Sequence, residues 1–369
     1  MKILITANST WNIYNFRMNL IKDFINLGYE ICVVSPKDEY FEEIIKLNLS
    51  YYDIPIYPHS INPFREFTVI KKYYDIIKKL NPDIILGYTI KPNIYVNLCA
   101  RILDKKVVSN ISGLGKIFIK KTYLTFFGIF LYRIALKNTS HVFFQNSADL
   151  KLFLDLKIVK NYNSSVINGS GVDVNVFDCI REKNDGKSFL FLGRLIKEKG
   201  ILEFLDAVAN VLSLNIYNKT TFYIAGSINL NQDENIKKKL DLFCYKFPQI
   251  KYLGNQKDIV QLLKEVDVLV LPSYREGLSK ALIEGASMKL PLITTDVPGC
   301  KDIVENGKNG FLCEKENSKS LSEKIIKMIN LSSDERMEFG ICGRNLVINK
   351  FASKHINNEY YSIIESLAY

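Results

Sequence analysis

The sequence predicts an α/β protein made of two doubly wound, Rossmann-like domains that face a central cleft. Three observations lead to this fold class. The chain has 369 residues, which is long for one hydrophobic core and suits two domains of roughly 170–180 residues. Short apolar, β-branched runs alternate with helical patterns in the first half, and the same alternation returns in the second half. This alternation is typical of parallel strands joined by crossover helices, which bind ligands at the carboxyl ends of the strands.

The first half holds the elements of a predicted N-terminal domain, residues 1–175. Strands are expected at Lys2–Ala7, Glu30–Ser35, Asp83–Tyr88, Lys106–Ile111, His141–Gln145 and Ser165–Asn168. Amphipathic helical stretches cover residues 15–28, 63–80 and 92–103. Turn signals support two of the helix ends, since Gly28 closes the first stretch and Asn81-Pro82 follows the second.

The second half repeats the scheme and gives a predicted C-terminal domain, residues 186–350. Its strands are expected at Ser188–Gly193, Thr221–Ala225, Ile250–Leu253, Asp267–Pro272, Pro291–Thr295 and Gly310–Cys313. Gly169-Ser170-Gly171 through Gly186 is interpreted as the hinge between the domains. This G-x-G lacks the remainder of a dinucleotide-binding fingerprint, so it is read as a linker.

Composition favours a globular protein with an anionic partner. Apolar residues make up 47% of the chain and charged residues 24%, which is ordinary for a globular protein. The net charge is +10, of which residues 1–180 carry +7, from 22 Lys/Arg against 15 Asp/Glu. An acidic membrane surface or a phosphorylated substrate fits this charge, whereas nucleic acid is not expected because no nucleic-acid-binding module accompanies it. The seven dispersed cysteines indicate buried, reduced thiols in a cytoplasmic protein, and the N-terminus does not resemble a signal peptide.

A first candidate cluster follows the strand expected at Ser188–Gly193. Gly193 and Arg194 come at the strand end, and Lys199-Gly200 lies five residues later. A guanidinium and an ammonium anchored beside a strand end suit the outer oxygens of a diphosphate. The alternative is that both side chains are simply solvated beside a glycine.

A second cluster follows the strand expected at Asp267–Pro272. Glu276 and Glu284 lie eight residues apart, at the expected start of a helix. Eight helical residues advance about 800°, so both carboxylates would point broadly the same way. The amides of Gly277, Leu278, Ser279 and Lys280 would then face an anion while the carboxylates bind hydroxyl groups. The alternative is an ordinary amphipathic helix with two solvated glutamates.

Together, in this order, the two clusters resemble the nucleotide-sugar half of family 4 retaining glycosyltransferases of the GT-B type. The carboxylate pair matches that family's E-x7-E motif, and Arg194 with Lys199 matches its phosphate-binding pair. The resemblance implies that Glu284 holds the ribose and Glu276 the donor sugar, and that the last helix, within residues 352–369, packs back onto the first domain. It also implies catalysis without metal or other cofactor, and the chain contains no Asp-x-Asp metal motif.

The first half resembles a narrower subgroup of bacterial transferases. The elements that carry this resemblance are Asn15-Phe16-Arg17, Lys91–Tyr95, the SGLG run of residues 112–115 and Val142–Asp149. Members add an N-acetylhexosamine, often N-acetylgalactosamine (GalNAc), to a sugar on polyprenyl (undecaprenyl) diphosphate during O-antigen, capsule or N-glycan assembly. A glycine-rich first loop and a catalytic-loop histidine, common in the wider family, are both missing here, and both departures fit this subgroup.

Four residues of the first half are candidates for the acceptor side. Gly113, Gly115 and Lys116 follow an expected strand and could approach a ligand closely, or they could form a plain tight turn. Arg17 could contact the acceptor diphosphate, or it could form a surface salt bridge. Lys91-Pro92 is read as a helix start with proline at the first position, ahead of an anion contact.

Residues 116–137 bear on where the protein acts. Only eleven uncharged residues separate Lys121 from Arg133, too few for a bilayer span, which needs about twenty. Aromatic residues with flanking cations suit a helix lying in the interface of an anionic membrane, and a core helix is the alternative. We therefore expect a UDP-sugar transferase peripherally associated with the inner face of the cell membrane. The other hypotheses are a transferase with a soluble acceptor and a catalytically silent GT-B protein.

Overall fold

The protein's structure is a computed structural model, which describes residues 1–57, 60, 62–114, 123–182, 188–229 and 233–368. The chain divides into two compact units. The N-terminal unit comprises Met1–Ser170 with Ser353–Tyr369, and the C-terminal unit comprises Gly171–Ala352. The first crossing between the units falls in the Gly169-Ser170-Gly171 segment, where the two glycines have φ values of 75° and 70°. Glycine reaches this left-handed region without the penalty that a Cβ atom brings.

The described part of the N-terminal unit contains a sheet of seven parallel strands. They are β1 Lys2–Thr6, β2 Glu30–Ser35, β3 Ser50–Asp53, β4 Ile84–Tyr88, β5 Lys106–Ile111, β6 His141–Phe144 and β7 Ser164–Val166. Their order in the sheet is β3-β2-β1-β4-β5-β6-β7. The strand order therefore reverses between β1 and β4, which is the topological switch point of this sheet.

Helices cover both faces of the N-terminal sheet. They are α1 Thr10–Asn26, α2 Phe41–Ile45, α3 Pro63–Leu80, α4 Ile90–Leu103, α5 Tyr123–Ala135 and α6 Ser147–Asp155. Ile3 and Ile5 belong to an apolar cluster that includes residues of α1, whereas Leu4 belongs to one formed with α3 and α4. This alternation along β1 is the side-chain period of a strand buried on both faces.

Local sequence explains most of the differences from the predicted elements. Helix α1 begins at Thr10 because Ser9 is extended, with φ of −163°, and its hydroxyl accepts a hydrogen bond from the Asn12 amide at 3.1 Å. Strand β3 was not predicted, because its four residues are partly or fully exposed and show little apolar alternation. Pro92 is the third residue of α4, so the expectation of proline at the first helical position is wrong.

The described part of the C-terminal unit contains a second parallel sheet, of six strands. They are β8 Ser188–Leu192, β9 Thr221–Ala225, β10 Ile250–Gly254, β11 Val268–Leu271, β12 Leu292–Thr295 and β13 Gly310–Cys313. The helices are α7 Ile201–Leu212, α8 Glu234–Lys246, α9 Ile259–Lys264, α10 Lys280–Ser287, α11 Ser318–Ile329 and α12 Ser333–Lys350. The sheet order is β10-β9-β8-β11-β12-β13, with its reversal between β8 and β11. The prediction of an α/β protein with two parallel, Rossmann-like halves is confirmed.

The C-terminal helix α13, Ser353–Ala368, belongs to the N-terminal unit. Ile356, Tyr360 and Ile364 are buried at four-residue spacing, which places them on one face of the helix. The Asn110 amide at the end of β5 donates to the Tyr360 hydroxyl at 2.8 Å, and Asn357 donates to Asp23 of α1 at 2.6 Å. Polar contacts to two elements thus fix the register of this helix.

Two further observations concern the chain as a whole. Across the described ranges, no helix has both the length and the apolar content that crossing a bilayer requires. All seven cysteines are free. The expectation of buried thiols is wrong for Cys342, which is exposed, and for Cys179 and Cys244, which are partly exposed.

Candidate active site

The candidate site lies at the switch point of the C-terminal sheet, between β8 and β11. These strands are neighbours, with Phe191 paired to Val270. The segments that leave their carboxyl ends, residues 193–200 and 272–279, therefore start side by side. Segments on either side of a switch point open a crevice where α/β proteins bind ligands.

The two segments pack against each other through Gly200. This residue has φ of +75°, and a Cβ placed on it would lie 2.1 Å from the Pro272 carbonyl oxygen. The Tyr274 amide also donates to the Glu198 carbonyl at 2.9 Å. Only glycine permits so close an approach, which brings Lys199 to the segment that carries Glu276.

Lys199 and Glu276 form an ion pair at the centre of the site. The Lys199 Nζ lies 2.5 Å from Glu276 Oε1, and the Ser273 hydroxyl donates to the same carboxylate oxygen at 2.6 Å. Their side chains are only 22% and 13% exposed, so water screens the pair weakly. Two residues that lie 77 positions apart in sequence are thus held in one polar cluster.

Arg194 lies on the same segment after β8, five residues before Lys199. The Gly193 amide donates to the Ala225 carbonyl at 3.0 Å and the Leu195 amide to the Ser227 carbonyl at 2.9 Å, so the backbone on both sides of Arg194 is held by the neighbouring strand end. The Arg194 side chain is exposed. A fixed backbone with a solvent-facing guanidinium is suited to meeting an anion that arrives from solution.

The structure corrects the reasoning that placed both glutamates on one helix. Helix α10 begins at Lys280, with Ser279 as its N-cap, so Glu276 lies in the preceding loop. The helical spacing argument for the two carboxylates is therefore wrong. One of the four expected anion-facing amides is also occupied, because the Ser279 N–H donates to the Gly299 carbonyl at 3.1 Å.

Glu284 lies on α10 and is almost fully buried, with 7% of its surface exposed. Its partner is Lys280, one turn earlier, whose Nζ lies 3.2 Å from Glu284 Oε1. Burial raises the pKa of the Glu284 carboxyl, and the nearby Lys280 only partly opposes that rise. The alternative of two solvated glutamates is wrong for Glu284, since a carboxylate held this far from water needs a polar partner or ligand.

Sequence reasoning missed two residues that shape the loop around Glu276. Ser273 donates to the Glu276 carboxylate, and its position three residues earlier was a usable signal. Gly299, after β12, has φ of +79°, and a Cβ there would lie 2.4 Å from the Glu276 carbonyl oxygen. Nothing in the local sequence indicates this contact, because the two residues lie on segments that follow different strands.

The structure describes two of the four acceptor-side candidates, Arg17 and Gly113. Arg17 is only 3% exposed and makes no ion pair with any residue the structure describes, so the surface salt-bridge interpretation is wrong. Gly113 follows β5 with φ of +118°. Gly115 and Lys116 lie outside the described residues. The Lys91 ammonium donates to the Glu66 carboxylate at 2.8 Å and to two backbone carbonyls. Its three hydrogen bonds are therefore all made within the protein.

The described residues hold no cluster of side chains suited to a metal ion. Within those ranges, no group of three or more His, Cys, Asp or Glu side chains is arranged to hold a metal ion. The charged side chains that meet at the C-terminal switch point are instead cations paired with carboxylates.

Two protein families match the chain, one for each half. "Glycosyl transferases group 1" matches residues 177–345, and "Glycosyl transferase 4-like" matches residues 2–146. The first match contains all the candidate residues of the C-terminal unit, and the second contains those of the N-terminal unit. The comparison therefore divides the chain in the same way as the two sheets.

Relatives and solved structures agree with these matches. The N,N'-diacetylbacillosaminyl-diphospho-undecaprenol alpha-1,3-N-acetylgalactosaminyltransferase of Campylobacter jejuni is 27% identical over 362 residues, or 92% of each chain. The UDP-Gal:alpha-D-GlcNAc-diphosphoundecaprenol alpha-1,3-galactosyltransferase of Escherichia coli is 26% identical over 87% of this chain and 84% of its own. Anabaena HepE, solved with UDP and glucose, has the same fold, with a TM-score of 0.83 at 17% identity over 99% of this chain and 100% of HepE. The chain is a glycosyltransferase of the GT-B fold, in which a glycosyl transferase 4-like domain is followed by a glycosyl transferases group 1 domain.

Proposed function

We propose that this glycosyltransferase transfers an N-acetylhexosamine or hexose, with GalNAc as the first choice, from a UDP-sugar to a glycan carried on polyprenyl diphosphate. The transfer retains the anomeric configuration and requires no metal ion. The product is an intermediate of bacterial surface polysaccharide or glycan assembly. The observation that carries the proposal is the Lys199–Glu276 ion pair at the switch point of the C-terminal sheet. Arg194 lies on the same segment as Lys199 with its side chain exposed, and Glu284 is buried on α10, the helix that follows Glu276.

The donor half of the proposal follows from the charges at this site. Breaking the bond between the anomeric carbon and the diphosphate leaves negative charge on the departing phosphate oxygens. Lys199 and Arg194 supply fixed positive charge there, the role that a divalent metal fills in other enzymes. Donor binding would draw Lys199 from its contact with Glu276 toward the phosphate, which frees the Glu276 carboxylate for hydroxyls of the donor sugar.

Retention follows if the acceptor hydroxyl attacks from the face that the diphosphate leaves. The new bond forms between the acceptor oxygen and the anomeric carbon, and the acceptor proton passes to the departing phosphate oxygen. No enzymic nucleophile is needed for this route, and Glu276 is assigned to sugar binding. Glu284 is assigned to the ribose hydroxyls, since a buried carboxylate is a strong acceptor for two neighbouring O–H groups.

The acceptor half draws on the relatives. The two full-length relatives described above are named for acceptors on diphospho-undecaprenol, and they transfer GalNAc and galactose. The similarity to both extends over most of the chain, including the N-terminal unit. This supports a lipid-linked acceptor for the present protein, with the donor sugar to be decided by experiment.

Helix α5 supports peripheral binding to the inner face of the cytoplasmic membrane. Phe126, Phe127, Phe130 and Ile134 are 66%, 54%, 55% and 36% exposed, and their spacing places them on one side of the helix. We name these four residues the α5 apolar face. Tyr132 and Ala135 are buried, so the helix packs on the protein through part of its surface. Because the α5 apolar face is exposed, the described part of this helix is not a core helix enclosed on all sides. Exposed aromatic residues next to Arg133 and Lys137 suit an anionic bilayer surface.

The proposed reaction is tested by a donor screen in the presence of EDTA. UDP-GalNAc, UDP-GlcNAc, UDP-galactose, UDP-glucose and GDP-mannose are each offered with a polyprenyl-diphosphate-linked sugar, and released nucleotide and product mass are measured. Turnover of one UDP-sugar is the expected result. Activity that returns only with added Mg²⁺ or Mn²⁺ would contradict the metal-independent step, and failure of every donor together with failure to bind UDP would favour a silent protein.

Membrane binding is tested separately by sedimentation with vesicles. The wild-type protein is expected to sediment with phosphatidylglycerol-containing vesicles, and Phe126→Ser/Phe130→Ser to lose most of that binding. Tyr245→Ser is the matched control, because Tyr245 is 89% exposed but lies on α8. Equal binding by all three proteins would show that the α5 apolar face does not contact the membrane.

A further inference from the structure

The side chain of Arg17 is a buried cation without a balancing charge. It lies in the middle of α1, on the stripe that faces the core, and is 3% exposed. Its guanidinium carbon lies 3.9 Å from the centroid of the Tyr88 ring. Among the residues that the structure describes, no carboxylate pairs with it and no group accepts a hydrogen bond from it, and its Nε is fully enclosed.

Two phenols beside Arg17 are neutral. Tyr88 lies below the guanidinium, and Tyr360 of α13 is the other phenol close enough to interact with it. Burial raises the pKa of both phenols, so both stay uncharged at neutral pH. Their rings lie 6.4 Å apart, and Tyr360 is held by Asn110. Neither phenol balances the charge of Arg17, and no carboxylate among the described residues does so.

Thr89, the residue after Tyr88, adds a second unsatisfied group. Its backbone has φ of +66° and ψ of 165°, a conformation that β-branched residues rarely adopt. Its buried hydroxyl has no hydrogen-bond partner among the described residues. Strained residues and buried polar groups without a partner both cluster at ligand sites. Thr89, at the end of β4, has both features.

Arg17 and Tyr88 meet at the switch point of the N-terminal sheet, between β1 and β4, and Thr89 follows Tyr88 in the chain. Leaving a guanidinium buried without an anion is unfavourable, and a core residue would normally be selected against on that ground. An anionic ligand removes the penalty, because it supplies both the charge and the hydrogen-bond acceptors. The planar guanidinium suits phosphate oxygens in particular.

We propose that Arg17, whose guanidinium lies over Tyr88 at the end of β4, binds a phosphate of the acceptor's diphosphate. This inference rests on the proposed function, since it assigns that lipid-linked acceptor to a site within the N-terminal unit. The same chemistry could bind the diphosphate of the nucleotide donor, so the experiment separates the two sources.

The kinetic test uses Arg17→Met, which keeps much of the side-chain volume and removes the charge. Two acceptors that carry the same sugar are compared, one on farnesyl diphosphate and one on an uncharged alkyl chain. The wild-type protein should have a lower KM for the diphosphate acceptor than for the uncharged one. Arg17→Met should raise the KM of the diphosphate acceptor about 10- to 100-fold, which brings the KM values of the two acceptors closer together. If Arg17→Met raises the KM of the UDP-sugar and not that of the acceptor, Arg17 binds the diphosphate of the donor, and the proposal is overturned.

Thermal unfolding distinguishes a binding role from a structural one. The free Arg17→Met protein should unfold at the same temperature as wild type or higher, because it loses an unbalanced buried charge. Arg181→Met is the control, since Arg181 donates to the carbonyls of Met288, Val266 and Leu263 at 2.6, 2.8 and 2.6 Å, and its loss should lower the melting temperature. A melting temperature of Arg17→Met lowered as much as that of Arg181→Met would make Arg17 a structural residue.

A binding measurement keeps this inference separate from the proposed reaction. Stabilisation by farnesyl diphosphate is measured with the Arg194→Ala/Lys199→Ala protein, so that the C-terminal site contributes little. Stabilisation that disappears when Arg17→Met is added supports the N-terminal site even if no donor is turned over. Stabilisation that persists unchanged would overturn the inference, whatever the enzyme's activity.

Discussion

Substituting Gly299 with alanine tests whether the loop that carries Glu276 is positioned by backbone packing. The new Cβ would lie 2.4 Å from the Glu276 carbonyl oxygen and 2.6 Å from that of Gly277, where ordinary contact begins near 3.4 Å. The backbone must therefore move by about 1 Å. That movement disturbs two hydrogen bonds, from Glu276 N–H to the Pro298 carbonyl at 3.2 Å and from Ser279 N–H to the Gly299 carbonyl at 3.1 Å.

The expected magnitude has two parts. A non-glycine residue in the left-handed region costs about 1–2 kcal/mol, and weakening two buried hydrogen bonds costs about 1–3 kcal/mol more. The free energy of unfolding should fall by roughly 2–5 kcal/mol for Gly299→Ala. Turnover should fall about 100-fold at a temperature where the variant is folded, because a 1 Å displacement of a positioning loop has effects of this size.

Gly307→Ala is the matched control for this substitution. Gly307 has φ of +81°, but a Cβ there would have no atom within 4 Å. It should lose only about 1–2 kcal/mol from backbone conformation and should keep its turnover. Chemical denaturation gives the two free energies, and initial rates with UDP-GalNAc give the turnover. Equal losses in the two variants, or normal turnover in folded Gly299→Ala, would refute the idea that this contact positions Glu276.

Two further predictions concern the charged groups of the same site. Arg194→Ala and Lys199→Ala should each lower turnover about 10²–10³-fold, the usual effect of removing one group that stabilises a transition state, and a change below threefold in steady-state assays would exclude that residue from the site. Because burial raises the pKa of Glu284, affinity for UDP-GalNAc should fall as the pH drops through that raised value, above the ordinary 4.5. Glu284→Gln should bind more weakly and lose this pH dependence in calorimetric titrations, whereas an unchanged pH profile would show that the ionised carboxylate does not accept the ribose hydroxyls.

The fold could be predicted from the sequence because parallel strands buried on both faces form continuous apolar runs. Those of β8 and β11 were found within a residue or two of their observed ends. The edge strand β3 was not predicted, since a strand that is partly exposed along its length has no continuous apolar run. Whether a strand could be predicted from the sequence therefore depended on whether both of its faces are buried.

The sequence pointed to the charged residues of the candidate site but not to their arrangement. Arg194, Lys199, Glu276 and Glu284 could be named because charged residues after apolar strands are conspicuous in sequence. Their arrangement could not be deduced, since the expected helical phase assumed a helix that in fact starts only after Glu276, at Lys280. The cap at Ser279 decides this boundary, and a serine at that position is compatible with either reading.

Arg17 shows why burial has to be known before a charged residue can be interpreted. In sequence, an arginine within a helical stretch is equally compatible with a surface salt bridge and with a ligand contact. What separates the two is its contact with Tyr88, 71 positions away, and the closure of the same region by Tyr360 from the opposite end of the chain. Neither is a local signal, because the crossover connections and the returning helix α13 bring these residues together only in the folded unit. A charge that the fold buries and leaves unbalanced is therefore stronger evidence for a ligand than a charge that the sequence merely places near a strand end.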